Sequence, residues 1–421
     1  MKRKTYLLVI FSLVFGFVFQ TSLASAAENT EWETRSSLTE ARAGAASAEV
    51  NGVIYIFGGS AQGDQAVTGE KKNTTFGYNS QTDTWSRKAD MPTIRSAASA
   101  VAVGDKIYVI GGYYGPNSLR TNKVEIYDTK TNTWTTAANM LEARSWAASV
   151  LMDNNIYVID GANNSDIVPT VEKYNISTDT WVKLKNFPVA LNAMSAVALN
   201  GKIYAFGGSK YFTSEISNSI YEYNVDTDTW TKKNNLLTAS NVSATAVYNG
   251  EVYIMGGLGE GAMVSRVEVY NPITNKSRLI TKLTSNRGQS SGAFVNGKLY
   301  IIGGTSNGRI LDTVESYTLA DPEPQEPVTP TEPNPIEPTT PTGERAILVV
   351  TMDTGLDKEF DLSMKEVNDF IAWYEAKQAG SGTASYAINK HKNNIGPFSS
   401  RNYYVIFNKI LTFEVSEYST K

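Results

Sequence analysis

Six apolar runs of strand length recur along the chain, and each ends on a pair of small residues. The run at residue 107 reads IYVIGG, and the other copies are IYIFGG at 54, IYVIDG at 156, IYAFGG at 203, VYIMGG at 252 and LYIIGG at 299. Because the apolar positions are consecutive rather than alternating, the pattern predicts strands buried on both faces. The pairs are separated by 53, 49, 47, 49 and 47 residues, which indicates a repeat architecture.

Each repeat contains three further segments that are typical of strands. The second repeat shows them as RSAASAVAVGD before the apolar run, VEIYD after it, and then WTTAANM. A Trp follows the Tyr by seven residues in four repeats, but Ser277 stands seven residues after Tyr270 in the fifth. The residues in between, such as DTKTNT, are turn formers whose side-chain oxygens can bond the local backbone. The third and fourth strands of each repeat are therefore predicted to form a hairpin.

The strand, the Gly-Gly pair, the Tyr and the Trp at this period resemble kelch repeats over roughly residues 31–319. The resemblance implies an all-β fold, a six-bladed β-propeller in which each repeat forms one four-stranded blade around a central axis. In that fold the glycines allow backbone angles and close approaches that a Cβ would prevent, and Asp160 is expected to loosen the third copy of the turn. The structural residues implied are Gly58, Gly59, Gly111, Gly112, Gly207, Gly208, Gly256, Gly257, Gly303, Gly304, Trp32, Trp85, Trp134, Trp181 and Trp230.

The sixth repeat lacks a fourth strand of its own. It contains Tyr317, but Pro324 stands where the Trp is expected. The segment that begins at Trp32, WETRSSLTEARAG, aligns with WTTAANMLEARSW from Trp134. We therefore expect the N-terminal strand to complete the last blade, which would remove an exposed sheet edge.

The segments outside the repeats differ from them in composition. Residues 1–26 join a basic start to an apolar run and an Ala-Ser-Ala end, which predicts a cleaved signal peptide and a secreted or cell-surface protein. That run is too short to span a membrane. Residues 27–320 would form the propeller, and residues 321–342, with eight prolines and five acidic residues, an extended acidic linker. Residues 343–421 are predicted to form a small α+β C-terminal domain.

Composition narrows the chemistry that the chain can perform. The net charge of −4 gives no reason to expect a nucleic-acid or membrane-surface partner. The chain has no cysteine, so disulfides, thiol nucleophiles and cysteine-bound metals are excluded. Kelch propellers include copper-radical oxidases, which need a Tyr–Cys link and histidine ligands, but the one histidine here, His391, lies outside the repeats. We expect no cofactor, no metal site and a monomer.

One position of the repeat suggests a binding site. Sixteen residues before each glycine pair stand, in order, Arg42, Arg95, Arg144, Leu191, Ser240 and Arg287. An antiparallel blade brings this position and the loop after the second strand to one mouth of the central channel. Arginine forks bind carboxylates through paired hydrogen bonds, and aromatic rings from the same region supply apolar faces. The predicted ligand-binding residues are Arg42, Arg95, Arg144, Arg287, Tyr113, Tyr114, Trp146 and Tyr211.

We interpret the chain as an exported recognition protein that binds an acidic glycan or an acidic protein segment at this mouth. One alternative is an enzyme similar to the kelch family's sialic acid mutarotase, which needs only acid–base groups and an arginine for the carboxylate. No residue stands out as catalytic among the available carboxylates, Glu40, Glu142, Glu215 and Glu260. Another alternative is a scaffold that contacts proteins through its rim, with arginines that only join neighbouring blades.

Overall fold

The computed structural model describes residues 31–61, 69–115, 117–211, 214–319, 344–352, 357–378, 385–389, 402–406 and 410–419. The chain divides into two compact units between residues 324 and 325. The predicted signal peptide and the proline-rich linker lie outside the described residues. Within the described ranges, no helix is long and apolar enough to span a membrane.

The first unit contains six four-stranded antiparallel sheets, which we number in chain order. Sheet 1 consists of Ala46–Val50, Val53–Phe57, Thr75–Asn79 and Thr84–Lys88. Sheet 2 consists of Ser99–Val103, Lys106–Ile110, Val124–Asp128 and Thr133–Ala137. Sheet 3 consists of Ala148–Met152, Asn155–Ile159, Val171–Asn175 and Thr180–Leu184. Sheet 4 consists of Ser195–Leu199, Lys202–Phe206, Ile220–Asn224 and Thr229–Lys232. Sheet 5 consists of Ala244–Tyr248, Glu251–Met255, Arg266–Asn271 and Lys276–Lys282. Sheet 6 consists of Ser291–Val295, Lys298–Ile302, Val314–Thr318 and Glu33–Arg35.

The second strand of each sheet is the apolar run of the sequence. Its last four residues are buried in all six sheets, as the consecutive apolar pattern predicts. The apolar side chains lie in layers between neighbouring sheets, because each sheet is covered on both faces. One of these layers joins sheet 6 to sheet 1 and contains Ile54, Tyr78, Tyr300 and Val314.

The N-terminal strand occupies the fourth place in sheet 6. Glu33–Arg35 pairs antiparallel with Val314–Thr318, and Thr34 lies opposite Glu315. The ring of Trp32 lies 5.4 Å from the ring of Tyr317, which resembles the 5.1 Å between Tyr127 and Trp134 in sheet 2. The first strands of the sheets pack side by side, and that of sheet 6 packs against that of sheet 1.

In sheets 1 to 3 the Tyr and Trp of the repeat join a sheet to the preceding part of the repeat. In sheet 2 the Tyr127 hydroxyl donates to Asn132 Oδ1 at 2.7 Å, and that same oxygen accepts the backbone N–H of Ala89 from sheet 1 at 2.8 Å. Trp134 Nε1 donates to the Ala89 carbonyl oxygen at 2.9 Å. The spacing of seven residues places Tyr127 directly opposite Trp134, so both side chains reach the same neighbour.

Short hairpins follow the second strand in several sheets, all at the same end of the sheets. They pair Tyr113–Tyr114 with both Leu119–Arg120 and Arg95–Ser96, Ser209–Tyr211 with Ser214–Ile216, and Thr305–Ser306 with Arg309–Ile310. We call this end of the sheets, which also carries the starts of the first strands, the hairpin face.

The second unit has its own apolar core. Glu344–Met352 is the central strand of a sheet, between Asp357–Ser363 and Ile410–Ser419, and Ser385–Asn389 pairs with Asn402–Ile406. The helix Met364–Gln378 begins where Ser363 and Glu366 exchange hydrogen bonds, which satisfies free N–H groups of its first turn. The core lies between helix and strands and contains Ala346, Leu348, Val350, Phe360, Leu362, Val367, Phe370, Trp373 and Ile388.

Candidate functional site

The glycine pairs connect each sheet to the next one at the hairpin face. The N–H of the second small residue donates to the carbonyl oxygen at the position where the sequence places the arginines. The six links are Gly59 to Arg95 at 2.9 Å, Gly112 to Arg144 at 2.8 Å, Gly161 to Leu191 at 3.3 Å, Gly208 to Ser240 at 2.9 Å, Gly257 to Arg287 at 2.8 Å and Gly304 to Arg42 at 2.7 Å. The last link runs from sheet 6 to sheet 1.

The first glycine of a pair is needed because of this close approach. A Cβ at Gly111 would lie 2.5 Å from the carbonyl oxygen of Arg144, and its φ of +63° is in the left-handed region. Asp160 takes this place in sheet 3 at a φ of +59°. Its carboxylate accepts the N–H groups of Gly161 at 3.0 Å and Leu191 at 2.8 Å, and the link there is the longest of the six. Burial raises the pKa of this carboxyl well above its usual value.

A second set of backbone hydrogen bonds joins the sheets in cyclic order, and we call it the backbone belt. Its donors and acceptors are Gly44 N to Gln289 O at 2.9 Å, Ala97 N to Gly44 O at 2.7 Å, Trp146 N to Ala97 O at 3.0 Å, Ala193 N to Trp146 O at 3.0 Å, Val242 N to Ala193 O at 2.9 Å and Gln289 N to Val242 O at 3.0 Å. All six residues have left-handed φ values, between 46° and 57°. Val242 is strained there, because a β-branched side chain disfavours this region.

An axial cavity of about 110 Å³ lies at the belt, and each sheet contributes two consecutive residues to its wall. Trp146 is the one aromatic residue of this lining, and Gln289, Ser243 and Ser290 are its polar residues. The two serine hydroxyls donate to Gly256 O and Gly303 O at 3.2 and 2.9 Å. None of the described residues that line the cavity is titratable, so its wall offers no acid–base group.

The four arginines that the sequence places at the mouth are buried in the structure. Each has 1–2% of its surface exposed, and each guanidinium contacts a carboxylate. The pairs are Arg42 with Glu40, Arg95 with Glu125 at 2.6 Å, Arg144 with Glu172, and Arg287 with Glu315. Three of these glutamates occupy one repeat position in the third strand. Arg95, Arg144 and Arg287 therefore neutralise buried glutamates inside their own sheets, whereas the partner of Arg42 is the exposed Glu40.

The guanidinium groups of Arg95 and Arg144 also donate hydrogen bonds to backbone carbonyl oxygens. Arg144 Nη1 donates to the carbonyl oxygens of Asp160 at 3.1 Å and Thr170 at 2.8 Å. Arg95 Nη1 donates to the equivalent oxygens of Gly111 and Lys123 at 3.0 and 3.3 Å. Each side chain thus holds the end of the second strand to the start of the third.

Sheets 1, 4 and 5 have other residues at the arginine position, at the glutamate position or at both. In sheet 4 the apolar Leu191 stands in place of the arginine, and Tyr221 in place of the glutamate. In sheet 1, Phe76 takes the glutamate position, and the Arg42 guanidinium lies 5.7 Å from the centre of its ring. Sheet 5 keeps the glutamate, Glu268, but has Ser240 in place of the arginine.

Glu268 has a cation partner that the sequence did not indicate. Its Oε1 accepts the N–H of Leu237 at 2.7 Å, and its Oε2 lies 3.7 Å from Nε of Arg266. Burial raises the pKa of Glu268 and lowers that of Arg266. Arg266 was missed because it is not at a repeated position. One sequence signal could have indicated that Glu268 has a different cation partner: Ser240 replaces the arginine of this repeat, while the glutamate is retained.

The predicted aromatic residues have different surroundings. Tyr113 is buried beneath the Arg120 guanidinium, which lies 4.9 Å from the ring centre, whereas Tyr114 is 38% exposed. Trp146 is half-buried in the axial cavity. Tyr211 ends a hairpin strand, and its side chain lies outside the described part of the structure.

Two other exposed apolar residues lie on or next to the strands that pair with Tyr114. Ile94 and Leu119 are each 47% exposed. Tyr114 pairs with Leu119 on one side and with Arg95, the neighbour of Ile94, on the other. We call Ile94, Tyr114 and Leu119 the apolar patch. In the described ranges, no group of three or more His, Cys, Asp or Glu residues could hold a metal ion.

Comparison with known proteins agrees with this architecture. A family model described as the KLHDC2/KLHL20/DRC7 Kelch-repeats domain matches residues 17–208, and the Kelch motif model matches residues 191–237, 243–284 and 286–320. The chain belongs to the kelch-repeat family, and its first unit is a kelch-repeat propeller.

Similar proteins include one from Clostridium acetobutylicum, "Uncharacterized protein CA_C0552", which is 36% identical over 75 residues, 18% of this chain and 19% of that protein. "Kelch-like protein 25" of Rattus norvegicus is 33% identical over 76 residues, 18% of this chain and 12% of that protein. The chain thus matches less than a fifth of the length of these relatives. A solved structure titled "Structure of YjhT" matches with a TM-score of 0.58 and 16% identity, covering 68% of this chain and 97% of that one. That likeness concerns the fold alone.

Proposed function

We propose that this protein is an exported kelch propeller that recognises another protein through the hairpin face. The observation that carries the proposal is the apolar patch formed by Ile94, Tyr114 and Leu119. Contiguous exposed apolar side chains next to polar loops are typical of protein-binding surfaces, and tyrosine is enriched at their centres.

The distribution of exposed apolar residues supports this face over the others. Among the described residues, eight large apolar side chains are exposed, and five of them lie at the hairpin face: Ile94, Tyr114, Leu119, Leu141 and Leu237. The other three, Val182, Ile273 and Leu279, lie on fourth strands or on the turn before one. Variable loops on a rigid scaffold are a common place for binding residues.

The proposal includes a closed six-bladed propeller, completed by the N-terminal strand, over residues 27–320. The pairing of Glu33–Arg35 with sheet 6, the apolar layer between sheets 6 and 1 and the backbone belt support it. We further propose that residues 1–26 are a signal peptide, residues 321–342 a linker, and residues 343–421 a separate small α+β domain. N-terminal sequencing of the protein from its producing cells should find a mature chain that begins at Ala27, and an unprocessed N-terminus would contradict export by this signal.

Protein recognition is favoured over the two ligand-based functions. A carboxylate ligand at the channel mouth needs accessible arginines, and the four arginines there are already paired with glutamates. A sugar mutarotase needs an acid–base group beside its substrate, and the described wall of the axial cavity has none.

Site-specific photo-crosslinking in the producing cells tests the proposal. A photoreactive phenylalanine analogue at position 114 or 119 should give one discrete cross-linked protein, because both positions are in the patch. The same analogue at Ile273, which is 83% exposed between the third and fourth strands of sheet 5, is the matched control and should not give it. The same product from all three positions, or no product from positions 114 and 119, would contradict binding through the patch.

A further inference from the structure

A cleft between sheets 4 and 5 is the second notable cavity of the hairpin face. Its volume is about 430 Å³, which is within the usual range for small-molecule sites. We call it the sheet 4–5 cleft, and its lining is Ile216, Asn218, Leu237, Thr238, Ala239, Gly259, Glu260, Val264 and Arg266. None of these residues belongs to the apolar patch or to the axial cavity.

The cleft lies where the repeat loses its arginine. In sheets 3 and 6 the arginine stands 28 residues before its glutamate, as Arg144 does before Glu172. Ser240 has the same spacing from Glu268, but its hydroxyl is too short to reach a carboxylate there and contacts Ser243 and the Gly256 carbonyl oxygen instead. The cation that accompanies Glu268 therefore comes from Arg266, which is part of the cleft wall.

Arg266 differs from the buried arginines in its unpaired donor, because the unpaired donors of Arg95, Arg144 and Arg287 are fully buried. Its Nη2 donates to the carbonyl oxygens of Ala239 at 3.0 Å and Thr238 at 3.4 Å, and its Nε faces Glu268. Its Nη1 bonds to none of the described residues and is not among the fully buried unpaired atoms. By contrast, Nη1 of Arg144 is committed to two carbonyl oxygens. Arg266 thus presents one end of its fork to the cleft, while its other end is fixed to backbone.

The rest of the lining defines what such a fork would hold. Ile216, Leu237 and Val264 provide apolar walls, and the exposed Thr238 carries a hydroxyl beside Arg266. Glu260 adds a negative charge at the cleft and would repel an anion placed next to it. A ligand that suits this arrangement has its carboxylate at Arg266, an apolar group against the walls, and a hydrogen-bond donor for Glu260.

We propose that the sheet 4–5 cleft is a binding site for a small carboxylate with an apolar side group, held by Arg266. A guanidinium in a largely buried position binds a carboxylate more strongly than an exposed one, because fewer water molecules compete for it. This site shares no residue with the apolar patch, so either proposal can fail without the other.

Ligand-observed NMR on the full mature chain tests the site with two probes of equal shape. N-acetylleucine has a carboxylate, an isobutyl group and an amide N–H, and N-acetylleucine amide lacks only the charge. We expect N-acetylleucine to bind at millimolar concentration and the amide to bind at least tenfold more weakly. Equal binding of both probes, or no binding of N-acetylleucine, would overturn the proposal.

Variants locate the binding within the molecule. The double variant Arg266→Gln/Glu268→Gln removes both charges together, so that neither is left buried alone, and should lose at least tenfold in affinity for N-acetylleucine. Glu260→Gln should bind it about two- to threefold more tightly, because a repelling charge is removed. Arg278→Gln, which breaks an exposed ion pair with Glu251 in the same sheet, is the control and should bind as the wild type does. Unchanged binding by a folded double variant would overturn the proposal.

Discussion

Sheets 3 and 5 each have a buried glutamate at the same position of the repeat, Glu172 and Glu268, but the two glutamates are paired with arginines from different positions. In sheet 3, Arg144 reaches Glu172 from the start of the first strand and bonds two carbonyl oxygens as well. In sheet 5, Arg266 approaches Glu268 from two residues earlier in the same third strand, and Arg266 Nε lies 3.7 Å from Glu268 Oε2. The first arrangement fills the space between the strands, and the second leaves a cleft beside the cation. One change of residue in a repeat can thus convert a purely structural cation into one that faces a cavity.

The largest expected effect comes from removing the cation of sheet 3. Arg144→Leu leaves Glu172 charged and buried without its partner, and we expect a loss of about 3–5 kcal/mol in the free energy of unfolding. Arg144→Leu/Glu172→Tyr reproduces the pair found in sheet 4 and should recover most of that loss. Urea unfolding followed by tryptophan fluorescence measures both. Equal losses in the two variants would mean that the charge pair is not what the single substitution disrupts.

The glycine pair that joins sheet 2 to Arg144 of sheet 3 should be nearly as sensitive. Gly111→Ala places a Cβ against the Arg144 carbonyl oxygen and forces the alanine backbone into the left-handed region. We therefore expect a loss of about 3 kcal/mol in the free energy of unfolding. Gly104→Ala has a similar φ of +57° but no neighbour within 4 Å, and should lose about 1 kcal/mol. Thermal unfolding of the two variants separates the close contact from the backbone conformation, and similar melting temperatures would contradict the role given to the contact.

The two glutamates should differ in their response to neutralisation. Glu172→Gln leaves Arg144 without its partner, whereas Glu268→Gln removes a loosely paired charge and should cost about 1 kcal/mol or less at pH 7. Burial raises the pKa of Glu268 in the folded protein, so its favourable contribution is complete below the unfolded pKa and is lost as pH rises through the folded value. Relative to Glu268→Gln, the wild type should therefore lose stability between pH 4 and pH 7, and a rise over that range would contradict the shift.

The smallest effect is expected in the backbone belt. Val242→Asn replaces a β-branched residue with one that tolerates left-handed angles, and should stabilise the protein by about 0.5–1 kcal/mol. Ala193→Asn at the neighbouring belt position, where the native side chain is less strained, is the control and should change stability less. Urea unfolding can resolve the difference, and a destabilised Val242→Asn would show that packing of the valine outweighs its backbone strain.

The sequence predicts the repeat framework well, because that framework depends on local patterns. The consecutive apolar runs become the buried second strands, and the spacing of Tyr127 and Trp134 places them opposite each other in a hairpin. The kelch family assignment is confirmed by the family models. The apolar run recurs six times and the Tyr–Trp spacing four times, so that single exceptions such as Asp160 do not hide them.

The chemistry of the arginine position was harder to predict, since it depends on contacts between strands. The position alone suggests four cations at a channel mouth, but for Arg95, Arg144 and Arg287 a glutamate 28–30 residues later pairs with the cation. A comparison of the repeats contains this information: Glu125 and Glu172 accompany arginines, while Tyr221 accompanies Leu191. Arg266 stands two residues before Glu268, where sheet 2 has Lys123 and sheets 3 and 6 have threonine, so the repeat pattern does not indicate its pairing and only the structure places it beside Glu268.

The strand pair of sheet 6 has a mechanical consequence. Glu33 lies opposite Ser316 and Arg35 opposite Val314, so the chain enters and leaves this pair at the same end. A pulling force between the two ends of the first unit would therefore open the hydrogen bonds one after another, and the contact of Trp32 with Tyr317 would break before them. Strands loaded in this way separate at lower force than strands sheared along their length. If the protein is held under tension at a surface, this short strand is the place where sheet 6 opens first.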